Sequence, residues 1–299
     1  MVPSISVVTP SYQQGRYIER TIQSVLGQGI DDLEYVVFDG GSTDETVDIL
    51  KKYQDKLRWV SEKDRGQSDA VNKGIRATTG NVIGWLNSDD IYYPGALRTV
   101  LDYFAAHPEC EVIYGDAHHI RDDDSIIDDY YTQPWDFERL KELCYLCQPA
   151  VFFNRSVVEK YGSINDALHF CMDYEYWIRL ARAGVKFHYL KGYFLAGSRL
   201  HESTKTLSQR PKVHAEINEM MVDKFGRVPD QWLFNWAHCL VDEKGISRDS
   251  GLKFATAVGV ASVYGSLKWN KRISWRVFST AYNWTFGSAM IKLRSRLRK

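Results

Sequence analysis

Neither glycine-rich fingerprint for cradling phosphates, G-x-G-x-x-G or G-x-x-x-x-G-K-[ST], occurs in these 299 residues. Their absence argues against a hydride-transferring dinucleotide enzyme and against a P-loop NTPase, both of which hold phosphate with those backbone loops. Cysteine is scarce: Cys110, Cys144, Cys147, Cys171 and Cys239. An odd count at irregular intervals is no disulfide framework, and a lone Cys144-x-x-Cys147 reads as ordinary buried thiols rather than a zinc or redox site. The N-terminus lacks a charged segment followed by a long apolar one, so no signal peptide is expected and the chain is placed in the cytoplasm with reduced thiols. The apolar, small-residue-rich segment from Phe254 to Leu267 is shorter than the roughly 20 residues a membrane span needs. No internal repeat and no low-complexity linker is visible. Net charge is missing too, with 38 basic and 38 acidic residues. The balance is uneven along the chain, because from Ser250 onward there are ten Lys or Arg and no Asp or Glu. That leaves an acidic body of 28 basic against 38 acidic residues and a basic tail suited to an anionic partner.

What is present is a repeated unit: a short apolar run, a polar break, then a helical pattern. Ile5 to Thr9 ends at Pro10-Ser11-Tyr12 and leads into a helix from Arg16 to Leu26. Leu33 to Phe38 ends in Asp39-Gly40-Gly41-Ser42-Thr43-Asp44-Glu45, where Ser42-x-x-Glu45 fits a capping box for a helix from Thr46 to Tyr53. Capping accounts for Ser42, Asp44 and Glu45 but not for Asp39, which stands before the cap at the strand's end. Leu57 to Val60, the turn Asp64-Arg65-Gly66 and a helix from Gln67 to Ala77 make the third unit. Val82 to Leu86, then Asn87-Ser88-Asp89-Asp90 and a helix from Gly95 to Ala106, make the fourth, and Glu111 to Tyr114 is a fifth strand. Such β-α-β-α repetition predicts a mostly parallel α/β sheet flanked by helices, whose ligands gather at the carboxyl ends of the strands. Two adjacent carboxylates, Asp89 and Asp90, lie at such an end. They repel unless solvent screens them or a cation such as Mg2+ or Mn2+ neutralises them.

After Gly115 the pattern becomes irregular. Ala117 to Arg121 and Ile126 to Tyr131 flank the acidic turn Asp122-Asp123-Asp124-Ser125 as a hairpin, on which His118 and His119 point to opposite faces. A helix begins at Asp173, where an aspartate suits an N-cap, and Glu175 and Arg179 stand one turn apart as a surface pair. Strands are expected at Lys186 to Leu190 and Tyr193 to Ala196. The stretch Arg199 to Thr206 is polar and aperiodic, hence a loop. Residues 207 to 240 read as helix broken at Gly226-Arg227-Val228-Pro229. Two more helical segments follow, the last carrying Trp275, Phe278, Tyr282, Phe286, Ala289 and Leu293 before Lys292, Arg294, Arg296, Arg298 and Lys299. The domains expected are therefore 1–206 and a helical 207–299.

Seven segments together resemble the family-2 glycosyltransferases of the GT-A fold: Val7 to Tyr12, Val37 to Asp44, Asp64 to Gly74, Trp85 to Asp90, Gln148-Pro149, Met172 to Arg179, and Arg199-Leu200-His201. They occur in the family's order over about two-thirds of the chain. The resemblance implies an inverting, metal-dependent transfer of a hexosyl or related sugar from a nucleotide-diphosphate donor, a UDP-sugar first, to an acceptor hydroxyl. It implies that Pro10, Ser11, Tyr12 and Asp39 line the base and ribose pocket, and that Asp64 and Asn72 border it. The family's D-x-D motif stands here as Asn87-Ser88-Asp89, which leaves Asp89 as the metal ligand beside Ser88 in the donor site. Asp173 matches the general base. Arg199 and His201 match a loop that closes over the diphosphate, His201 joining the Mn2+ or Mg2+.

The partners this implies are a nucleotide-sugar donor and a glycan or lipid-linked acceptor of cell-surface polysaccharide assembly, with no nucleic acid. For the tail, residues 252–299, contact with the inner face of the cell membrane is expected from the basic run and the aromatic stripe; packing on protein or on a second subunit of a homo-oligomer is the competing use of such a stripe. Rival readings are a sugar-phosphate nucleotidyltransferase, against which the nearly uncharged Pro10 to Gly15 segment speaks, and a degenerate sugar-nucleotide-binding scaffold, to which Asn87 lends some weight.

Overall fold

Apolar runs without polar alternation fold where both faces of a strand are covered. Ile5–Ser11 (β1) and Val82–Trp85 (β4) are buried at every position, and Leu33–Asp39 (β2) is buried from Tyr35 to Val37 and at Asp39. With Arg58–Ser61 (β3) they form a parallel ladder in the order β3-β2-β1-β4. Their crossovers are the helices Ile18–Leu26 (α1), Thr46–Lys52 (α2) and Gln67–Arg76 (α3). Helix α3 sits so close to β1 that a Cβ at Gly74 would lie 2.2 Å from Val8 Cγ1. The computed structural model describes residues 3–201, 204 and 209–287.

Beyond β4 come Ile91–Tyr92 (β5), Ala96–Ala106 (α4), Val112–Ile120 (β6), Ile126–Asp129 (β7), Phe137–Glu142 (α5), Val151–Asn154 (β8), Arg155–Tyr161 (α6), Met172–Arg182 (α7) and Phe187–Arg199 (β9). The sheet continues β4-β8-β6-β9-β5, with β7 attached to β6. Strand β8 is antiparallel to both its neighbours, whereas β9 runs parallel to β6. The mixed α/β sheet is therefore the expected one, mostly parallel, with an antiparallel insert that the periodicity of the first 115 residues could not announce. Two expected pieces of strand are in fact one: β6 runs on through Gly115 to Ile120, and β9 runs unbroken for 13 residues. A bulge joins the two halves of β9, where Gly192 takes a positive φ of 84° and donates its N–H to Asp116 (2.7 Å).

The chain divides into two compact units, one of residues 1–140 and 144–204, the other of 141–143 and 205–299. The second unit holds the helices Arg210–Phe225 (α8), Asp230–Glu243 (α9), Leu252–Asn270 (α10) and Trp275–Tyr282 (α11). Gly226, at φ +70°, ends α8 as the sequence pattern expects, and Pro229 precedes α9. Gly265 lets the Trp236 ring approach α10, and Gly259 lets α11 in, since a Cβ at either would stand 3.3 Å from Trp236 or from the Ala281 carbonyl. The Phe286 side chain and Ala289, Lys292, Leu293, Arg294, Arg296, Arg298 and Lys299 lie outside the described residues, as do 202–203 and 205–208 of the polar loop.

Candidate active site

The ends of β1 and β2 stand side by side, Ser11 opposite Asp39 in the register. Their two loops are clamped by Gln13, a non-glycine residue at positive φ (55°). Its backbone N–H donates to Ser42 Oγ (2.7 Å), and its amide bonds the Thr43 hydroxyl (2.9 Å) and the N–H groups of Thr43 and Asp44. Ser42 is thus not half of a capping box. Helix α2 starts at Thr46 after Glu45, which makes no side-chain capping bond; Asp44, one residue earlier, accepts the Thr46 N–H (3.1 Å) and the Gly15 N–H (2.8 Å). Asp39 is 2% exposed; its Oδ2 accepts from the Gly41 and Ser42 N–H groups and from the Ser61 hydroxyl, and its Oδ1 from the Ser42 hydroxyl. It organises this loop first, with lone-pair capacity left only on Oδ1. Asp64 lies against Gly40, whose Cβ would come within 2.9 Å of Asp64 Oδ2. The Tyr12 ring beside them is 61% exposed, and the buried hydroxyls of Ser11 and Ser68 have no hydrogen-bond partner among the described residues.

The turn after β4 is built on Asn87. Its Oδ1 accepts from the Trp85 indole N–H (3.0 Å) and from Gln67 Nε2 (2.7 Å); its Nδ2 donates to Gln148 Oε1 (2.9 Å) and Asp90 Oδ2 (3.2 Å). The indole can only donate, so it fixes which way the Asn87 amide faces. Gln148 is fixed likewise by donating Nε2 to the Trp85 carbonyl (2.6 Å). Gln67 and Gln148 carry no charge and no spacing signature, and the only hint of them was that each lies in a segment resembling the family, Asp64 to Gly74 and Gln148-Pro149. Asp90 is 4% exposed and turned away from Asp89, taking the Arg199 N–H (2.8 Å) as well as the Asn87 amide. Burial, and then the charge of Asp89, hold its carboxyl well above the usual carboxylate range. This is how two adjacent aspartates coexist: Asp90 goes inward and Asp89 outward. Ser88 between them is buried.

Asp89 meets His201 across 112 positions of sequence, Oδ2 standing 3.0 Å from Nε2. Tyr17 lies 4.8 Å from the imidazole, centroid to centroid, and fixes the ring's plane. Arg199 differs from expectation. It is the last residue of β9 and not part of a loop, its side chain is fully buried, and its guanidinium donates to the Asp89 carbonyl (2.7 Å), the Arg121 carbonyl and Asp124 Oδ1 (2.5 Å). These bonds tie the Asp89 turn to the β6–β7 turn. The acidic turn itself is latched from the other side by Arg16, Tyr17 and Arg20.

Asp173 is the second residue of α7, not its N-cap, which is Cys171 with no side-chain capping bond. Its Oδ1 accepts the Tyr174 N–H (2.8 Å). Burial first, then Asp90, Cys144 and Asp173, push the Cys147 thiol well above its ordinary value, so Asp90 and Asp173 both act on one buried sulfur. Cys110, too, is pushed up to about 12, chiefly by burial, which keeps these thiols protonated and inert. Asn72 is 5% exposed, and both ends of its amide pair with the backbone of Ile164 (2.8 and 3.0 Å), which makes it a staple between α3 and that segment. Glu175 and Arg179 do pair (3.1 Å), but Glu175 is 1% exposed and Arg179 also ties down the Tyr161 and Ser163 carbonyls, so the pair is interior and structural.

Asp89 and His201 offer one carboxylate oxygen and one imidazole nitrogen at a separation that fits a shared Mn2+ or Mg2+. No cluster of three acidic, His or Cys side chains suited to a metal occurs among the described residues. Such a pair fits an ion that completes its shell with water and substrate phosphate, as Mg2+ commonly does.

Acidic strand ends on a sheet of this order define a GT-A-type glycosyltransferase fold. TarS 1–349 of S. aureus, in complex with UDP-GlcNAc, matches it with a TM-score of 0.62 at 15% identity over 95% of this chain and 89% of that one. The mannosyltransferase PcManGT of Pyrobaculum calidifontis, in complex with GDP-Man and Mn2+, matches at 0.59 and 16% identity over 97% and 85%. At such identities the likeness speaks for the fold alone. The chain belongs to glycosyl transferase family 2, whose family model matches residues 6–162. It is 30% identical to the chondroitin synthase of Escherichia coli over 187 residues, 61% of this chain and 27% of that one. To the hyaluronan synthase of Pasteurella multocida it is 28% identical over 195 residues, 63% and 20%. The match thus spans about a quarter of the length of these curated relatives.

Proposed function

We propose that this chain catalyses an inverting, metal-assisted transfer of a hexosyl or related sugar from a nucleotide-diphosphate donor to an acceptor hydroxyl. The donor read first is a UDP-sugar, and the acceptor a growing glycan or lipid-linked glycan of a surface polysaccharide. The observation that carries this reading is the meeting of Asp89 with His201 at the end of β4, since capping or packing gives no reason for that pair. The family relatives named as polysaccharide synthases support the acceptor class.

The roles in this reading are these. Tyr12, exposed just past the end of β1, offers a face for the base; Pro10 and Ser11 form the strand end before it, and Asp39 offers the remaining capacity of Oδ1 to a ring N–H or ribose hydroxyl. Asp64 borders the same loop. Asp89 and His201 would hold Mn2+ or Mg2+, which as a Lewis acid offsets the charge that develops on the diphosphate leaving group. Arg199 positions Asp89 through its backbone carbonyl. Asp173 takes the acceptor's proton as the hydroxyl attacks, a contribution of ~100 to 10,000-fold for a positioned base. One displacement inverts the sugar carbon.

The test is a panel of nucleotide sugars scored by thermal shift and by slow donor hydrolysis, with and without Mn2+. Asp89→Ala is expected to keep its fold and lose the metal-dependent part of both signals. Unchanged metal dependence in that variant refutes the assignment.

A further inference from the structure

Helix α11 has two unlike faces. Val277 and Ala281 are buried toward α10, while Trp275 (78% exposed), Phe278 (51%) and Tyr282 (55%) form the opposite stripe. The three rings are in contact along it, with centroids 5.7 and 6.4 Å apart. Helix α10 carries its own outward stripe at i, i+4, i+7: Val260, Tyr264 and Leu267, all exposed. An isolated exposed apolar residue needs no explanation, but two contiguous stripes on neighbouring helices do. Asp230 and Glu142 reach the start of α11, where they meet Ser274 and Arg276. Lys268 in the last turn of α10 and Lys271 and Arg272 in the connection are exposed, none is ion-paired within the described residues, and no acidic residue occurs in the sequence from Ser250 onward.

We infer that this aromatic, basic face of α10 and α11 docks flat on an anionic lipid bilayer, such as the cytoplasmic surface of a cell membrane. Aromatic rings with a polar edge favour the headgroup boundary, and lysine and arginine beside them are drawn to anionic lipid. The mode is lying on the surface, because no described helix is long and apolar enough to cross a membrane. Charge decides against a second copy as the occupant: a two-fold interface sets the same patch against itself, and would bring the Lys268-Lys271-Arg272 cluster toward its own image. The inference is independent of the transfer chemistry proposed above, since it concerns other residues and reads out without a sugar donor.

The experiment is co-sedimentation of the full chain with phosphatidylcholine vesicles, with and without phosphatidylglycerol, at low and high salt. Binding is expected to require phosphatidylglycerol and to weaken with salt. The triple variant Trp275→Ala, Phe278→Ala, Tyr282→Ala, with helical content unchanged by circular dichroism, is expected to partition at least about tenfold more weakly. Should that variant misfold, Phe278→Glu at the centre of the exposed stripe serves the same purpose. Three results would overturn the inference: equal partition of wild type and variant, equal partition onto neutral and anionic vesicles, or a lipid-free dimer that the triple variant dissociates.

Discussion

Restoring the missing carboxylate of the D-x-D motif should damage this protein. In Asn87→Asp the Nδ2 that donates to Gln148 Oε1 at 2.9 Å and to Asp90 Oδ2 at 3.2 Å becomes an acceptor facing two acceptors. Gln148 cannot turn to accommodate it. Residue 87 is pinned by the Trp85 indole on its other oxygen, and Gln148 by the Trp85 carbonyl. A buried polar group left without its partner costs about 1–3 kcal/mol, so the two together cost roughly 2–6 kcal/mol. For a body of this size each kcal/mol lowers Tm by about 2–4 °C, which gives a drop of roughly 4–24 °C. The assay is thermal unfolding followed by tryptophan fluorescence, with Mn2+ affinity read in parallel from the electron paramagnetic resonance signal of free Mn2+. The expected result is a less stable protein whose Mn2+ affinity in the presence of nucleoside diphosphate does not improve. An unchanged Tm, or a several-fold tighter Mn2+ site, would show that Asn87 is a degenerate ligand and not the hub of an amide network.

Asp173→Asn should bind donor with near-normal affinity and lose at least ~100-fold in turnover; because Asp173 is not the cap of α7, Tm should hardly move, and retained turnover would end the general-base role. Glu34 gives a pH signature. Burial pushes its carboxyl up, but bonds from Ser6, Thr79 and Gly80 outweigh this and bring it down to about 2. A depressed folded-state value means stability that is full above the unfolded value of about 4.3 and is lost as pH falls from there through about 2. Glu34→Gln should therefore cost ~1–2 kcal/mol at pH 7, allowing for a side chain 31% exposed, and almost nothing near pH 2 in urea titrations. Gly74→Ala should destabilise by about 3 kcal/mol or more, because a Cβ 2.2 Å from Val8 Cγ1 forces α3 off β1; a wild-type Tm would refute that packing.

Local rules carried the sequence a long way. An apolar run followed by a polar break specifies a buried strand and its end, and that alone put Asp39, Asp64 and Asp89 at strand termini, because period and turn chemistry act over a few residues. The break between α8 and α9 was legible for the same reason, as Gly226 and Pro229 act on their own backbone. Which side chain meets which was mostly not; the family resemblance alone had set Asp89 and His201 on one metal. Asp89 reaches His201, Arg199 reaches Asp124 and Asn72 reaches Ile164 only because the sheet sets β4, β6, β8 and β9 in one order, with β8 reversed. A run of polar residues looks like a solvated loop until that order buries it, so Arg199 read as a mobile ligand and stands as an interior brace. Of the two neighbouring aspartates the match to the D-x-D motif picked out Asp89, but only the fold gives the physical reason: Asp90 takes the Arg199 N–H and turns inward, and Asp89 faces His201. Sequence determined where the carboxylates lie along the chain, since that is a matter of local backbone preference. Tertiary structure decided which of them is free to act, since desolvation and hydrogen bonding depend on neighbours that only the folded chain brings near.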